Sequence, residues 1–284
     1  AKTTDKINGA GNPADDPSVD MIWTLARGGD DQPGLIWAGT IPGGLFRSDD
    51  RGESWTLVES LWNRPEREKW FGGGFDQPGI HSILVDPRDS NRLTVGISCG
   101  GVWKSDDGGE SWRQAGQGLR AAFLPPEEQF NPVSQDPHRL SACAAEPDII
   151  WCQHHNGVFL SRDGGENFEE LSDAFGFGVA AHPADPAAAW FAPGVKDECR
   201  VPIDARFVIH KTDDNRATFK TQSRGLPRGP SYDLGYRHAL AIDESGNRLA
   251  AGSTTGNLWL SEDAGETWHE VSTHLPPVNH VSWS

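Results

Sequence analysis

Apolar and polar residues alternate in short runs along this chain, and the runs stop at Gly, Pro or Asp. Ile80–Val85 alternates and ends at Asp86-Pro87, which predicts a strand with one buried face. Leu93–Ile97 predicts a second strand, Ser98-Cys99-Gly100-Gly101 a hairpin turn and Val102–Ser105 a third strand. A further Gly-rich turn follows, and Trp112 opens a fourth strand. The other segments align on this layout: Trp103 falls with Phe46, Phe159 and Trp259, and Cys99 with Pro42, His155 and Thr255. His81 falls with Trp23, Ser141, Phe177 and His238.

The third turn carries a repeat. Ser48-Asp-Asp50-Arg-Gly52-Glu-Ser54-Trp55 recurs from Ser105 to Trp112, from Ser161 to Phe168, from Thr212 to Phe219 and from Ser261 to Trp268. The fourth copy has Arg216 where the others have glycine. An Asp in such a turn accepts from nearby backbone N–H groups, and the Gly two positions on supplies a positive φ. The aromatic that follows starts the next strand and can wedge between neighbouring sheets. None of the copies has the EF-hand register with a Glu at its twelfth position, so they read as folding turns and not calcium loops.

The pattern S/T-x-D-x-G-x-S/T-W/F resembles the Asp-box, or BNR repeat, of sialidases and related β-propellers. Segments such as WFGGGFDQPGIHS, QDPHRL, QHHNG and GSTTGNLW resemble bacterial sialidase-like, glycosyl-hydrolase-like BNR proteins. The resemblance implies an all-β propeller of four-stranded antiparallel blades. Blades are expected at about 21–60, 78–118, 138–172, 175–224 and 236–272, after a polar linker or cut end at 1–20. Val278–Ser284 looks like one more inner strand without the rest of its blade. The expectation is five complete blades plus this closing strand, in a ring of six or seven, with an upstream fragment as a possible completing partner.

Composition supports the all-β reading: 33 Gly and 20 Pro among 284 residues interrupt helices at short intervals. No apolar run approaches the ~18 residues of a membrane helix, so no membrane partner is expected. Asp plus Glu number 41 against 25 Lys plus Arg, a net charge of −16, and such a surface repels nucleic acid. Cys99, Cys143, Cys152 and Cys199 match no zinc spacing and read as unpaired thiols, with a Cys143–Cys152 hairpin bridge as the alternative. With no signal-like apolar stretch near Ala1, a cytoplasmic location is the expectation.

In a propeller blade, the turns between strands two and three and the inter-blade loops share one face, opposite the repeated turns. Candidate site residues gather in those segments. As catalytic candidates they supply Asp76, Asp197, Glu198, Tyr232 and Tyr236. As ligand contacts they supply Trp70, His138, Arg139, Asn156, Lys196, Arg200, Arg237 and Thr255. As metal ligands they supply His81, His138, His154, His155 and His238. Convergent titratable groups around a concavity define a default site; a hydrogen-bonded network plugging the channel is the structural alternative. Gly96-Ile-Ser98-Cys-Gly100 fits a nucleophile-elbow pattern, but its hairpin setting lacks the required helix.

Three functions remain. A sialidase-like glycosidase or carbohydrate-binding site would use arginines as anion clamps and carboxylates or Tyr for chemistry. The early arginine motif of true sialidases is replaced by Thr40-Ile-Pro42, which speaks against sialidase activity itself. A metal-dependent lyase or oxygenase would use the imidazoles; a divalent metal is compatible with the sequence, and none is required by it. A non-catalytic interaction scaffold is the third.

Overall fold

The computed structural model describes residues 18–215 and 218–283. Most of the expected 1–20 linker, Arg216 of the fourth repeat and Ser284 of the closing strand therefore lie outside the described residues. The chain forms two compact units, one up to Pro137 and one from His138 onward.

The first unit holds two four-stranded antiparallel blades. One comprises β1 (Met21–Arg27), β2 (Ile36–Ile41), β3 (Leu45–Ser48) and β4 (Thr56–Leu57). After the single helical turn α1 (Glu59–Trp62) comes the other: β5 (Gly79–Asp86), β6 (Asp89–Ser98), β7 (Gly101–Ser105) and β8 (Arg113–Ala115). Trp37, Leu45, Ile80, Val95, Ile97 and Trp103 form their shared core.

The second unit holds three blades. Its strands are β9 (Pro137–Ala142), β10 (Ile150–His154), β11 (Gly157–Ser161) and β12 (Glu169–Ser172). The next blade is β13 (Gly176–Ala181), β14 (Ala189–Pro193), β15 (Ile209–Thr212) and β16 (Lys220–Gln222). The last is β17 (Leu240–Ile242), β18 (Leu249–Gly252), β19 (Leu258–Ser261) and β20 (His269–Ser272). Each sheet keeps its strands in sequence order, the meander of an all-β propeller blade. All four cysteines are free thiols, and among the described residues no helix is long and apolar enough to cross a membrane.

The repeated turn is built on its aspartate. Asp107 accepts from the Ser105 hydroxyl at 2.8 Å, the Ser111 amide at 2.9 Å and the Ser111 hydroxyl at 2.5 Å. Asp50, Asp163 and Asp263 repeat the pattern. Two consecutive residues after the Asp turn left-handed, not the glycine alone: Arg51 and Gly52 have φ of 64° and 90°. Asn215 takes φ 54° in the fourth copy, where Asp214 still accepts from Thr212 at 3.1 Å and from Thr218. The turn's bare glycine receives an indole from the preceding blade. A Cβ on Gly109 would stand 3.3 Å from the Trp37 ring, and the Trp190 Nε1–H donates to the Ala264 carbonyl at 3.0 Å.

The C-terminal segment departs from expectation. Among the described residues Val278–Trp283 form no strand ladder: they make one parallel bridge, His280 to His238, backed by Val281 N–H to the His238 carbonyl at 2.9 Å. Pro276 and Pro277 at its entry lack N–H donors, and β17 beside it is only three residues long, so no ladder extends.

Acid stability follows from the turns. The Ser54 hydroxyl and amide and the Ser48 hydroxyl hold Asp50 down at about 2. Ser111 and Ser105 likewise lower Asp107. Burial raises Asp163 and Asp263, but hydrogen bonds led by Asn167 and Thr267 outweigh it, so both are lowered. Each folded value lies below the unfolded one, so the contribution is fully present above about pH 4 and is lost as pH falls through the folded values. The melting temperature should be level from pH 7 to 5 and drop steeply between about pH 4 and 2; a flat profile across that lower window would contradict the role given to these aspartates.

Packing between blades is equally exacting. A Cβ on Gly39 would stand 2.5 Å from the Ile80 carbonyl oxygen, a backbone atom that cannot swing away. Gly39→Ala should cost about 1–3 kcal/mol in chemical denaturation, and a loss below 0.5 kcal/mol would show that the sheets separate easily.

Candidate functional site in the second unit

In an antiparallel four-stranded meander the turn between strands two and three and the exit of strand four share one end. In the second unit that end gathers the candidates around Phe177. This residue sits on β13 at a bulge, where the register to β14 shifts between Gly176 and Gly178. A bulge re-aims the side chain it carries. The inner strands β1 and β5 have the same irregularity, at Trp23 and His81.

Three blades supply the neighbours of Phe177. His138, from β9, stacks on its ring at 4.7 Å, and Tyr236, from the segment before β17, meets it edge-on at 4.8 Å. Phe175 packs edge-on at 5.1 Å. The guanidiniums of Arg200 and Arg237 lie 5.5 and 5.6 Å from the ring centre. His155, from the β10–β11 turn, lies 5.5 Å from the His138 ring and 5.9 Å from Phe175. Phe177 itself is 1% exposed, whereas His155, Phe175 and Tyr236 are half-buried and Arg200 is exposed. Phe177 is thus a keystone, and the outer ring of side chains forms the accessible surface.

The polar bonds fix orientation. His138 Nδ1 donates to the Gly176 carbonyl at 2.7 Å, since a carbonyl only accepts. Arg139 Nη1 donates to the Arg237 carbonyl at 2.8 Å, and burial lowers its guanidinium to about 10, still charged at neutral pH. Arg200 holds Asp197 through Nε and Nη2 at 3.0 and 2.6 Å. Burial pushes the Arg200 guanidinium down, but its bonds to Tyr236 and Asp197 outweigh this and the net direction is up. His238 pairs with His280 at 5.6 Å between rings. Burial and the Arg139 charge lower His280.

The remaining candidates stand elsewhere. His154 is fully buried, accepts the Asn156 amide on Nδ1 at 3.1 Å and packs on Phe159, so it shapes the hairpin and does not join His138 and His155. Thr255 is committed, with Ser231, Ser253 and Asn257, to donating to the buried Asp233. Burial raises Asp233, and those four bonds outweigh it and hold it ionised. Lys196 and Glu198 extend into solvent 4.0 Å apart, and Tyr232 is 78% exposed. Trp70, Asp76 and His81 belong to the first unit. Trp70 packs in the core against Trp103 at 5.8 Å, which leaves little ring face for a ligand. His81 is fully buried beside Trp23, with Nδ1 2.9 Å from the Ser82 hydroxyl, and Asp76 is exposed on its loop.

Sequence reasoning passed over Phe175, Phe177 and His280. The signal for Phe177 was its alignment with His81 and His238, which drew attention because they titrate.

No family model matches the chain. It is 29% identical over 259 residues to a probable oligoxyloglucan-reducing end-specific xyloglucanase of Neosartorya fischeri, covering 89% of this chain and 27% of that protein. It is 24% identical over 243 residues to sortilin of Rattus norvegicus, covering 82% of this chain and 24% of that protein. The chain thus spans about a quarter of the length of these relatives. Among solved structures it resembles an ancestral GH74 enzyme, with a TM-score of 0.64 at 15% identity, over 90% of this chain and 33% of that one. At that identity the likeness shows the fold alone.

The Asp233 network separates scaffold from surface. Asp233→Ala would strand three buried or half-buried donors, Ser231, Ser253 and Asn257, together with the exposed Thr255, and should cost about 2–4 kcal/mol in urea unfolding. A change below 1 kcal/mol would mean that water replaces the carboxylate freely.

Proposed function

We propose that this protein is a carbohydrate-binding, glycoside-hydrolase-like β-propeller whose oligosaccharide ligand seats on the surface framed by His155, Phe175, Tyr236 and Arg200. The observation that carries this reading is the Phe177 keystone, which presents half-buried rings beside guanidiniums drawn from three blades. Ring faces pack on the C–H faces of sugars, and charged donors bond their hydroxyls. The xyloglucanase relative supports a glucan ligand in preference to the sialic-acid chemistry that the repeat resemblance suggested. Binding is the function supported within this unit. Glycoside hydrolysis needs a carboxylic acid that keeps its proton, and the buried Asp233 is held ionised.

One observation favours a second reading. His138 donates through Nδ1 to a carbonyl, an orientation typical of metal-bound imidazoles, and His155 lies beside it. Metal analysis of the purified protein, with titration of zinc and manganese into His155→Ala, tests it: a stoichiometric ion lost in that variant would establish a metal centre.

Calorimetry with xyloglucan oligosaccharides, alongside a glycan array that includes sialylated sugars, tests the main reading. Arg200→Ala and His155→Ala should each weaken oligosaccharide binding at least ~10-fold while the melting temperature moves only a few degrees. Unchanged affinity in both variants would place the ligand elsewhere, and binding of protein partners without any glycan would favour the scaffold reading.

A further inference from the structure

A second concavity lies on the blade β13–β16, away from the inner strand that carries Phe177. It is an open hollow of about 320 Å³ between the loop Ile203–Val208 and the segment Thr221–Arg228. Ile203, Val208 and Pro227 supply apolar wall, Thr221 and Ser223 supply hydroxyls, and Asp204, Arg206 and Arg228 supply charge. Because Ile209 pairs with Gln222, the cavity opens at the end of the outer strands β15 and β16 that faces away from the repeated turn of this blade.

Its charges are unspent. Several arginines elsewhere pair with a near neighbour in sequence, as Arg47 does with Asp49 and Arg88 with Asp86. The guanidiniums of Arg206 and Arg228 and the carboxylate of Asp204 make no hydrogen bond or ion pair among the described residues, although all three line one cavity. The loop is nevertheless held in place. Ala205 accepts the Ser231 amide at 2.8 Å, and the Arg206 amide donates to Ile203 at 2.9 Å. Asp204 and Ala205 both take left-handed φ, 51° and 52°, which costs energy for non-glycine residues and clusters at functional sites.

We infer that this cavity is a binding site for a terminal acidic sugar, with the hexuronate carboxylate held by Arg206 and Arg228. The volume lies at the small end of ligand sites, suited to one pyranose ring. Asp204, Thr221 and Ser223 offer acceptors and donors for hydroxyls, and Val208 and Pro227 offer a face for ring C–H groups. Two guanidiniums against one carboxylate set the preference for an anion in a chain whose net charge is −16. The site does not depend on the Phe177 surface or on the reading given to it.

Calorimetric or NMR titration of the intact chain with methyl glucuronide, methyl glucoside and inorganic phosphate tests the assignment. Methyl glucuronide should bind at least ~10-fold more tightly than either of the others and weaken as salt is raised. Arg206→Ala and Arg228→Ala should each cost at least ~10-fold, with little change in melting temperature because both side chains are exposed and without internal partners. Equal binding of the glucoside would overturn the charge selection, and equal binding of phosphate would reduce the site to a bare anion contact and overturn the sugar. Glucuronide binding that survives in the double variant but disappears in Arg200→Ala would place the acidic sugar on the Phe177 surface and overturn the proposal.

Discussion

Every blade depends on one carboxylate saturated by its own turn. The Asp50, Asp107, Asp163 and Asp263 side chains each collect a hydroxyl from the end of the strand before and an amide from the turn residue four positions on. This closes the third hairpin through the chain's own donors. It also fixes two consecutive left-handed residues, and the bare glycine at the second leaves a hollow beside the turn. Trp37 and Trp190 fill such hollows from the preceding blade, so a local hydrogen-bond pattern becomes the joint between sheets. The aromatic closing the turn is itself buried in three copies, at Trp112, Phe168 and Trp268, and half-buried at Trp55 and Phe219.

With stability concentrated at the repeated turns, the opposite blade ends are free to vary. There the β10–β11 turn carries His154-His155-Asn156, whereas the β18–β19 turn carries Ser253-Thr254-Thr255 and folds over Asp233. The same backbone position therefore serves a half-buried imidazole in one blade and an internal polar network in another. The bulge in the inner strand works in the same way. It carries Phe177 into the cluster of the second unit, and it carries His81 into a wholly buried place beside Trp23 in the first. Equivalence in the repeat fixes where a side chain starts, and its neighbours decide whether it reaches solvent.

This limits what the sequence could disclose. The blades, the turns and the strand order were legible because each is written locally, in period-two alternation and in a turn repeated five times. His138, His155, Arg200, Tyr236 and Arg237 were also legible as loop and strand-end residues. What joins them was not, because Phe177 has no titratable group and reads as ordinary strand filling. The local commitments of His154 and Thr255 were hidden for the converse reason: polar side chains near a turn look available until the turn's own amides and acids are counted. The closing strand failed where an apolar pattern met Pro276-Pro277 and a three-residue neighbour, a pairing shortage that alternation alone does not register.

Charge separates the two concave surfaces. Around Phe177 the cations are already engaged: Arg139 with a carbonyl, Arg200 with Asp197 and Tyr236, and both Arg200 and Arg237 over the ring. Such groups are pre-oriented, and they can offer remaining N–H donors to hydroxyls without undoing the network. A full anion would have to compete with Asp197 for Arg200, so a neutral sugar suits this surface better. In the cavity beside β15 and β16 no such competition exists, because Arg206 and Arg228 have no carboxylate partner among the described residues and Asp204 is not within ion-pair reach of them. An anion there gains two cations against their hydration and the repulsion of the one carboxylate, Asp204, that shares the cavity, and two guanidiniums against one acid is a condition under which arginine discriminates charge.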